Sequence, residues 1–168
     1  NVLFPSQAKK SSVQFQKWMI DFLREEFLNN NESTKRSKRI YISRSKASRR
    51  AILNEEEFLP LLEEHGFESV ILEDLAFKEQ AALFNSCEAV IGYHGSGFSN
   101  LIFCKPNTKV LELFHPEFLN GCFWDISQKI ELNHFLGTII PDNNSNSNSN
   151  GSITKESLLS FLQKLEVK

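Results

Sequence analysis

The tetrapeptide His94-Gly95-Ser96-Gly97 lies between an apolar run at 87–92 and an apolar, amphipathic segment at 98–104. That order reads as strand, glycine loop, helix. Glycines let a loop turn sharply and bring backbone N–H groups close to a ligand, and a helix N-terminus adds roughly half a positive charge aimed at the same point. Phosphate or diphosphate is the usual guest of such a corner; the plainer reading is a tight turn and nothing more. Asn100 stands where the dinucleotide fingerprint has its third glycine, so that motif is incomplete. Ser96 does not have the surroundings of a nucleophile elbow, because His94 and Phe98 fill its outer glycine positions.

Other residues with chemistry fall near predicted strand ends. Arg44, Lys46, Arg49 and Arg50 crowd the loop after the first predicted strand, where guanidinium forks can hold phosphate oxygens bidentately or form a solvated basic turn. Glu112 is an ionisable residue inside Val110-Leu-Glu-Leu-Phe114, suited either to ribose hydroxyls or to an outward-facing edge position. His94 can donate to a phosphate or sugar hydroxyl, act as a general acid or base, or only tie its own loop. His65, His115 and His134 lack metal-ligand spacing, and there are no paired carboxylates or cysteine clusters. Neither a structural zinc nor a catalytic metal is expected, and no cofactor is.

The elements that must position these groups follow from periodicity. Residues 11–28 open with Ser11 and Gln14 at capping-box spacing and place Phe15, Trp18, Met19, Phe22 and Phe27 near helical period, predicting a long core-packing helix. Residues 39–43 predict the first strand, and Asn54 with Glu57 a helix cap, with Pro60 set to delay or kink that helix. His65-Gly66 is a stop signal; strand 69–72, helix 77–85 and strand 87–92 follow. Further strands are expected at 109–114 and 136–140, then a mobile Asn/Ser-rich surface loop at 142–152 and a helix over 154–165. Strands alternating with helices imply a doubly wound α/β domain with a mostly parallel sheet of about five strands and helices on both faces, whose ligands bind beyond the carboxyl ends of the strands.

Composition narrows the classes. A chain of 168 residues suits one domain, or one half of a two-domain enzyme, and the net charge of −2 gives no general pull toward nucleic acid or anionic membrane. Fifteen Phe against two Tyr point to packing rather than base stacking. Three cysteines, Cys87, Cys104 and Cys122, sit among apolar neighbours like buried reduced thiols, which points to a reducing, cytoplasmic compartment. The chain opens at Asn1, so an upstream targeting or membrane segment stays open. No apolar stretch reaches the length of a membrane helix.

Taken together, Tyr41-Ile-Ser-Arg44, Arg49-Arg50-Ala-Ile-Leu-Asn-Glu-Glu56, Gly66-Phe67-Glu68, Phe77 with Glu79-Gln80 and Leu83-Phe84, Ile91-Gly-Tyr-His-Gly-Ser-Gly97, Asn100-Leu101 and Lys109-Val-Leu-Glu-Leu-Phe114 resemble the family-61 glycosyltransferases in order and spacing. The likeness is strongest over residues 39–114. It implies the C-terminal, nucleotide-sugar-binding half of a GT-B enzyme, with a Rossmann-like fold, whose N-terminal acceptor domain is not in this chain. It also implies transfer, with inversion and without a required metal, from a usually UDP-linked donor to a glycan or polysaccharide. Residue by residue, it suggests Arg44 and His94, Gly95, Ser96 and Gly97 for the diphosphate, Glu112 for the ribose region, and Asn100 and Arg49 as further contacts or supports. Ser96 and Phe98 depart from the commoner Ala and Leu, and Ala76 from a capping Ser.

Two other classes compete. In a nicotinamide-dependent oxidoreductase, Gly95 and Gly97 would be the fingerprint and Glu112 the ribose acid, although the loop then follows the third predicted strand rather than the first. A non-catalytic nucleotide-binding module has the same local signature. Sugar, acceptor, catalytic base and oligomeric state are not encoded in any motif here.

Overall fold

The computed structural model describes residues 9–11, 14–28, 38–142 and 148–166. Its centre is a five-stranded parallel sheet of β1 (Lys38–Ile42), β2 (Phe67–Val70), β3 (Cys87–Tyr93), β4 (Lys109–Phe114) and β5 (Asn133–Thr138), in the order β2-β1-β3-β4-β5. The helices are α1 (Lys17–Phe27), α2 (Glu55–Glu64), α3 (Phe77–Asn85), α4 (Cys122–Lys129) and α5 (Lys155–Lys164), with a 3₁₀ helix at Ser96–Phe103.

Alternation along the strands divides the core in two. Ile40, Ile42, Val90 and Val110 pack with Ile20 of α1, Phe84 of α3, Ile126 of α4 and Leu101 of the 3₁₀ helix. Tyr41, Ile91, Leu111 and Leu113 pack on the opposite face with Phe58 and Leu62 of α2 and Leu158 and Leu162 of α5. Apolar residues on both sides of each interior strand are what a covered parallel sheet requires. This is the doubly wound, Rossmann-like α/β fold expected from the sequence. The chain first runs from β1 out to β2, then returns to add β3 on the other side of β1. The switch point, and with it the crevice favoured for ligands, therefore lies between the carboxyl ends of β1 and β3.

Several boundaries differ from those predicted. Lys9–Ser11 pairs antiparallel with Gln14–Phe15, so Ser11 does not cap α1; Gln16 precedes that helix and makes no side-chain cap bond. The Phe15 N–H instead donates to Asp125 Oδ2 at 2.8 Å, tying the short strand to α4. The inward stripe of α1 is Met19, Ile20, Leu23 and Phe27, while Trp18 and Phe22, one turn apart on a neighbouring stripe, are 44% and 55% exposed. Gly66 adopts φ +76°, the left-handed conformation that ends α2, and lets β2 begin at Phe67; Leu72–Asp74 forms a 3₁₀ turn rather than strand. α2 begins at Glu55 and carries Pro60 within it, while the Asn54 side chain bridges to both backbone groups of Ile153 instead of capping.

β5 covers Asn133–Thr138, and Ile140–Pro141 turns away to pair with Gly151–Ser152. Residues 143–147 of the expected mobile loop lie outside the described residues. The rest of that loop is docked: the Asn148 carbonyl accepts from Arg50 N, and Asn150 Oδ1 accepts from Ala51 N. Thr154 caps α5, its hydroxyl accepting from Ser157 N at 3.1 Å. Among the described residues no helix is long and apolar enough to cross a membrane.

Candidate functional site

At the carboxyl end of β3 the His94 N–H still donates to the Leu113 carbonyl, extending the ladder by one residue. Gly95 is extended, and the chain then enters the 3₁₀ helix with Phe98 N donating to Gly95 O. A helix does follow the glycine loop, but in the tighter 3₁₀ winding, and it is buried nearly all round rather than amphipathic: Phe98, Asn100, Leu101, Ile102 and Phe103 are all inside. Arg24 of α1 caps its far end by donating to the Ile102 and Cys104 carbonyls. The N–H groups of residues 96 and 97 precede the first hydrogen bond of this helix, which runs from Phe98 N to Gly95 O.

Arg44 leaves β1 directly opposite this turn. Its Nε donates to the Arg50 carbonyl at 2.9 Å and Nη2 to the Arg49 carbonyl at 3.0 Å, which fixes the guanidinium against the Cα of Gly95. Burial, and after it the positive charge of Arg50, lowers the Arg44 pKa from its ordinary value. The loop that carries Arg44 is anchored by Glu55, which accepts from the Tyr41 hydroxyl and the Ser43 hydroxyl, each at 2.7 Å, and from Arg44 N at 3.2 Å.

Between these walls is a cavity of about 190 Å³. Ser43 and Arg44 from the end of β1 line it on one side and Ser96, Gly97 and Asn100 on the other, with Leu72, Glu73 and Gln80 closing it. Asn100 Nδ2 donates to Gln80 Oε1 at 2.8 Å, and Gln80 Nε2 in turn donates to the Leu72 and Leu75 carbonyls. Four of the expected contact residues, Arg44, Ser96, Gly97 and Asn100, thus meet around one space. Gly95 stands behind Arg44, and the lining also takes in Glu73, the acidic residue after the second predicted strand, with Ser43 and Gln80, which lie in the segments that carry the family resemblance but have no role assigned there.

The remaining candidates are placed differently. Arg49 is exposed and contributes its carbonyl, whereas Arg50, held at φ +56°, directs Nη1 to the His94 carbonyl at 3.3 Å and sets its guanidinium 5.6 Å from the Phe118 ring centre. Arg50 is therefore the second cation at the glycine loop. Glu112 is not at a sheet edge: it is fully buried on interior strand β4, with Oε1 2.5 Å from His94 Nδ1 and Oε2 3.1 Å from His134 Nε2. Neither Glu112 nor the His94 ring is among the residues that line the cavity. The His94 ring is stacked on Phe114 at 4.8 Å and flanked by Phe118 and Phe123. Among the described residues no group of three or more His, Cys, Asp or Glu side chains converges as metal ligands. Cys87, Cys104 and Cys122 are buried and outside any disulfide, and burial pushes the Cys87 thiol up to about 12.

A beta-1,2-xylosyltransferase of Oryza sativa subsp. japonica is 31% identical over 101 residues, covering 60% of this chain and 22% of the relative. An EGF domain-specific O-linked N-acetylglucosamine transferase of Drosophila melanogaster is 33% identical over 91 residues, covering 52% of this chain and 17% of the relative. The matches thus span about a fifth of these relatives' lengths. The sequence profile of the Glycosyltransferase 61 family matches residues 1–111, the span that holds β1 to β3, Arg44 and the whole glycine loop, and the chain belongs to that family.

Proposed function

We propose that this chain is the donor-binding domain of an inverting glycosyltransferase that moves a sugar from a UDP-linked donor to a glycan or polysaccharide acceptor without a metal. The observation that carries the reading is the convergence of Arg44 and the Ser96-Gly97 turn on one cavity at the β1/β3 switch point. A cavity of about 190 Å³ has room for a diphosphate or a sugar ring but not for a whole nucleotide-sugar, so the rest of the donor extends along the open crevice.

In the reaction, an acceptor hydroxyl oxygen forms a bond to the anomeric carbon as the bond from that carbon to the diphosphate oxygen breaks in line. The hydroxyl proton leaves to a base, and the electron pair goes to the departing diphosphate. Arg44, Arg50 and the N–H groups of residues 96 and 97 meet the growing negative charge. Such preorganised donors in a desolvated site do the work otherwise assigned to a cation. Full transferase turnover in an Arg44→Ala protein would overturn this mechanism; a fall of about a hundredfold or more is expected.

A further inference from the structure

The switch-point cavity is lined by two unlike sets of groups. Arg44 and the turn at Ser96-Gly97 bring donors, whereas Glu73 and Asn100 bring acceptors. Gln80 sets both acceptors. Its Nε2 donates to the Leu72 carbonyl at 2.9 Å and to the Leu75 carbonyl at 3.0 Å, clasping at either end the 3₁₀ turn that carries Glu73. That leaves Oε1, which accepts from Asn100 Nδ2 at 2.8 Å. The same turn packs closely on the glycine loop, because a Cβ on Gly97 would come within 2.8 Å of Leu72 Cδ1.

Backbone carbonyls only accept, so the Gln80 amide has one orientation, and it dictates that of Asn100, whose Nδ2 faces Gln80 Oε1 and the Gly97 carbonyl. Asn100 Oδ1 is left over. It accepts no bond among the described residues and is not sealed from solvent, so it opens on the cavity that Asn100 lines. Glu73 likewise accepts no hydrogen bond among the described residues, while its neighbour Asp74 takes Lys46. Burial and then Arg50 lower the Arg44 pKa, and Glu73 is the first group that opposes them, which fits a carboxylate and a guanidinium facing one space. An anion is repelled by the Glu73 side of that space, whereas a hydroxyl can donate to it.

We propose that Glu73 and Asn100 are specificity-determining residues that accept from the hydroxyls of a sugar ring joined to a phosphate held at Arg44. The idea rests on the donor-site reading above. Gln80 is the positioning residue, since its amide is spent on Leu72, Leu75 and Asn100. Two rings of a UDP-sugar have the required chemistry, the transferred sugar and the ribose, because each carries vicinal hydroxyls a few bonds from a phosphate.

The test is calorimetric titration in EDTA with inorganic pyrophosphate, UDP, 2′,3′-dideoxy-UDP and UDP-xylose, whose pyranose carries ring hydroxyls and no other substituent. Glu73 is exposed, so Glu73→Ala should fold with an unchanged urea midpoint. The variant should bind pyrophosphate as tightly as the unmutated protein or more tightly, and lose about tenfold for a ligand whose ring reaches the acceptors. Loss for UDP-xylose alone assigns the transferred sugar; loss for UDP as well, but not for 2′,3′-dideoxy-UDP, assigns the ribose. Glu73→Gln, uncharged like alanine but still carrying a carbonyl oxygen, should fall between the two, which an effect of charge alone would not allow. Equal or tighter binding of every ligand by Glu73→Ala, as removal of a repelling charge gives, would overturn the proposal, and so would a parallel loss for pyrophosphate. Binding of none of the four by the unmutated protein would overturn the donor-site reading, and this proposal with it.

Discussion

The Arg44 guanidinium occupies the space that a side chain at residue 95 would need: a Cβ on Gly95 would overlap Nη1 and stand 3.2 Å from Cζ. Gly95 has no left-handed backbone to explain it, since its φ is −179°. The glycine is there for close approach, and the approach places a cation beside the first turn of the 3₁₀ helix.

Gly95→Ala should therefore act as an indirect Arg44 variant. The added methyl displaces the guanidinium from the Arg49 and Arg50 carbonyls, so UDP affinity should fall about tenfold, equivalent to roughly 1.4 kcal/mol. The urea midpoint should move little, because the pair is at the rim of the core. Titration calorimetry and urea denaturation on the same sample separate the two effects.

Arg50 joins three parts of the site: Nη1 reaches the His94 carbonyl, the far edge of the guanidinium reaches Asn148 Oδ1, and its charge lies near Phe118. Arg50→Ala should weaken UDP binding and also free residues 148–150. Hydrogen exchange at the Ala51 and Gly151 amides, which bond across this junction, should speed up in the variant while the amides of β3 and β4 keep their protection.

Removing Glu112 should be costly. Glu112→Ala leaves the buried ring nitrogens of His94 and His134 without their acceptor and opens a void in the sheet, for a loss of about 3–5 kcal/mol in urea unfolding. A loss under about 1 kcal/mol would show that the two imidazoles find other partners.

Alkaline pH should destabilise the fold. Burial raises Cys87 from 9.0 to about 12, and burial with the neighbouring Glu55 carboxylate raises Tyr41 above its ordinary value. In each case the unfolded chain loses its proton first. The associated stability is complete below the unfolded pKa, about 9 for the thiol, and declines as pH rises toward the folded value. Urea midpoints measured at about pH 8 and about pH 10.5 should differ, and Cys87→Ala should reduce the difference.

The sequence makes the glycine-loop corner legible because its signals are local. Glycines between an apolar strand and a helix, and basic residues after β1, need no knowledge of distant contacts. Continuous apolar runs likewise reveal β3 and β4. Pairings across long sequence distances do not show: nothing around His134 announces that it meets Glu112, and nothing around Gln80 that it braces Asn100. Arg49 and Arg50 are adjacent cations that only the left-handed backbone at Arg50 tells apart. The inward face of α1 is hidden for another reason. Trp18 and Phe22 are as apolar as Met19 and Leu23, so periodicity offers two stripes, and packing against the 3₁₀ helix selects the one centred on Ile20. The Asn-rich stretch looks too polar to order, yet Asn148 and Asn150 supply acceptors that Arg50 and Ala51 require.

The central claim is that Arg44 and the Ser96-Gly97 turn form a diphosphate site. Calorimetric titration with UDP in the presence of EDTA, on the unmutated protein and on Arg44→Ala, tests it most directly. The account predicts metal-independent, saturable binding that weakens by about tenfold or more in the variant, as expected for loss of a charge-assisted phosphate contact. Absence of UDP binding, or equal affinity in the two proteins, would contradict it.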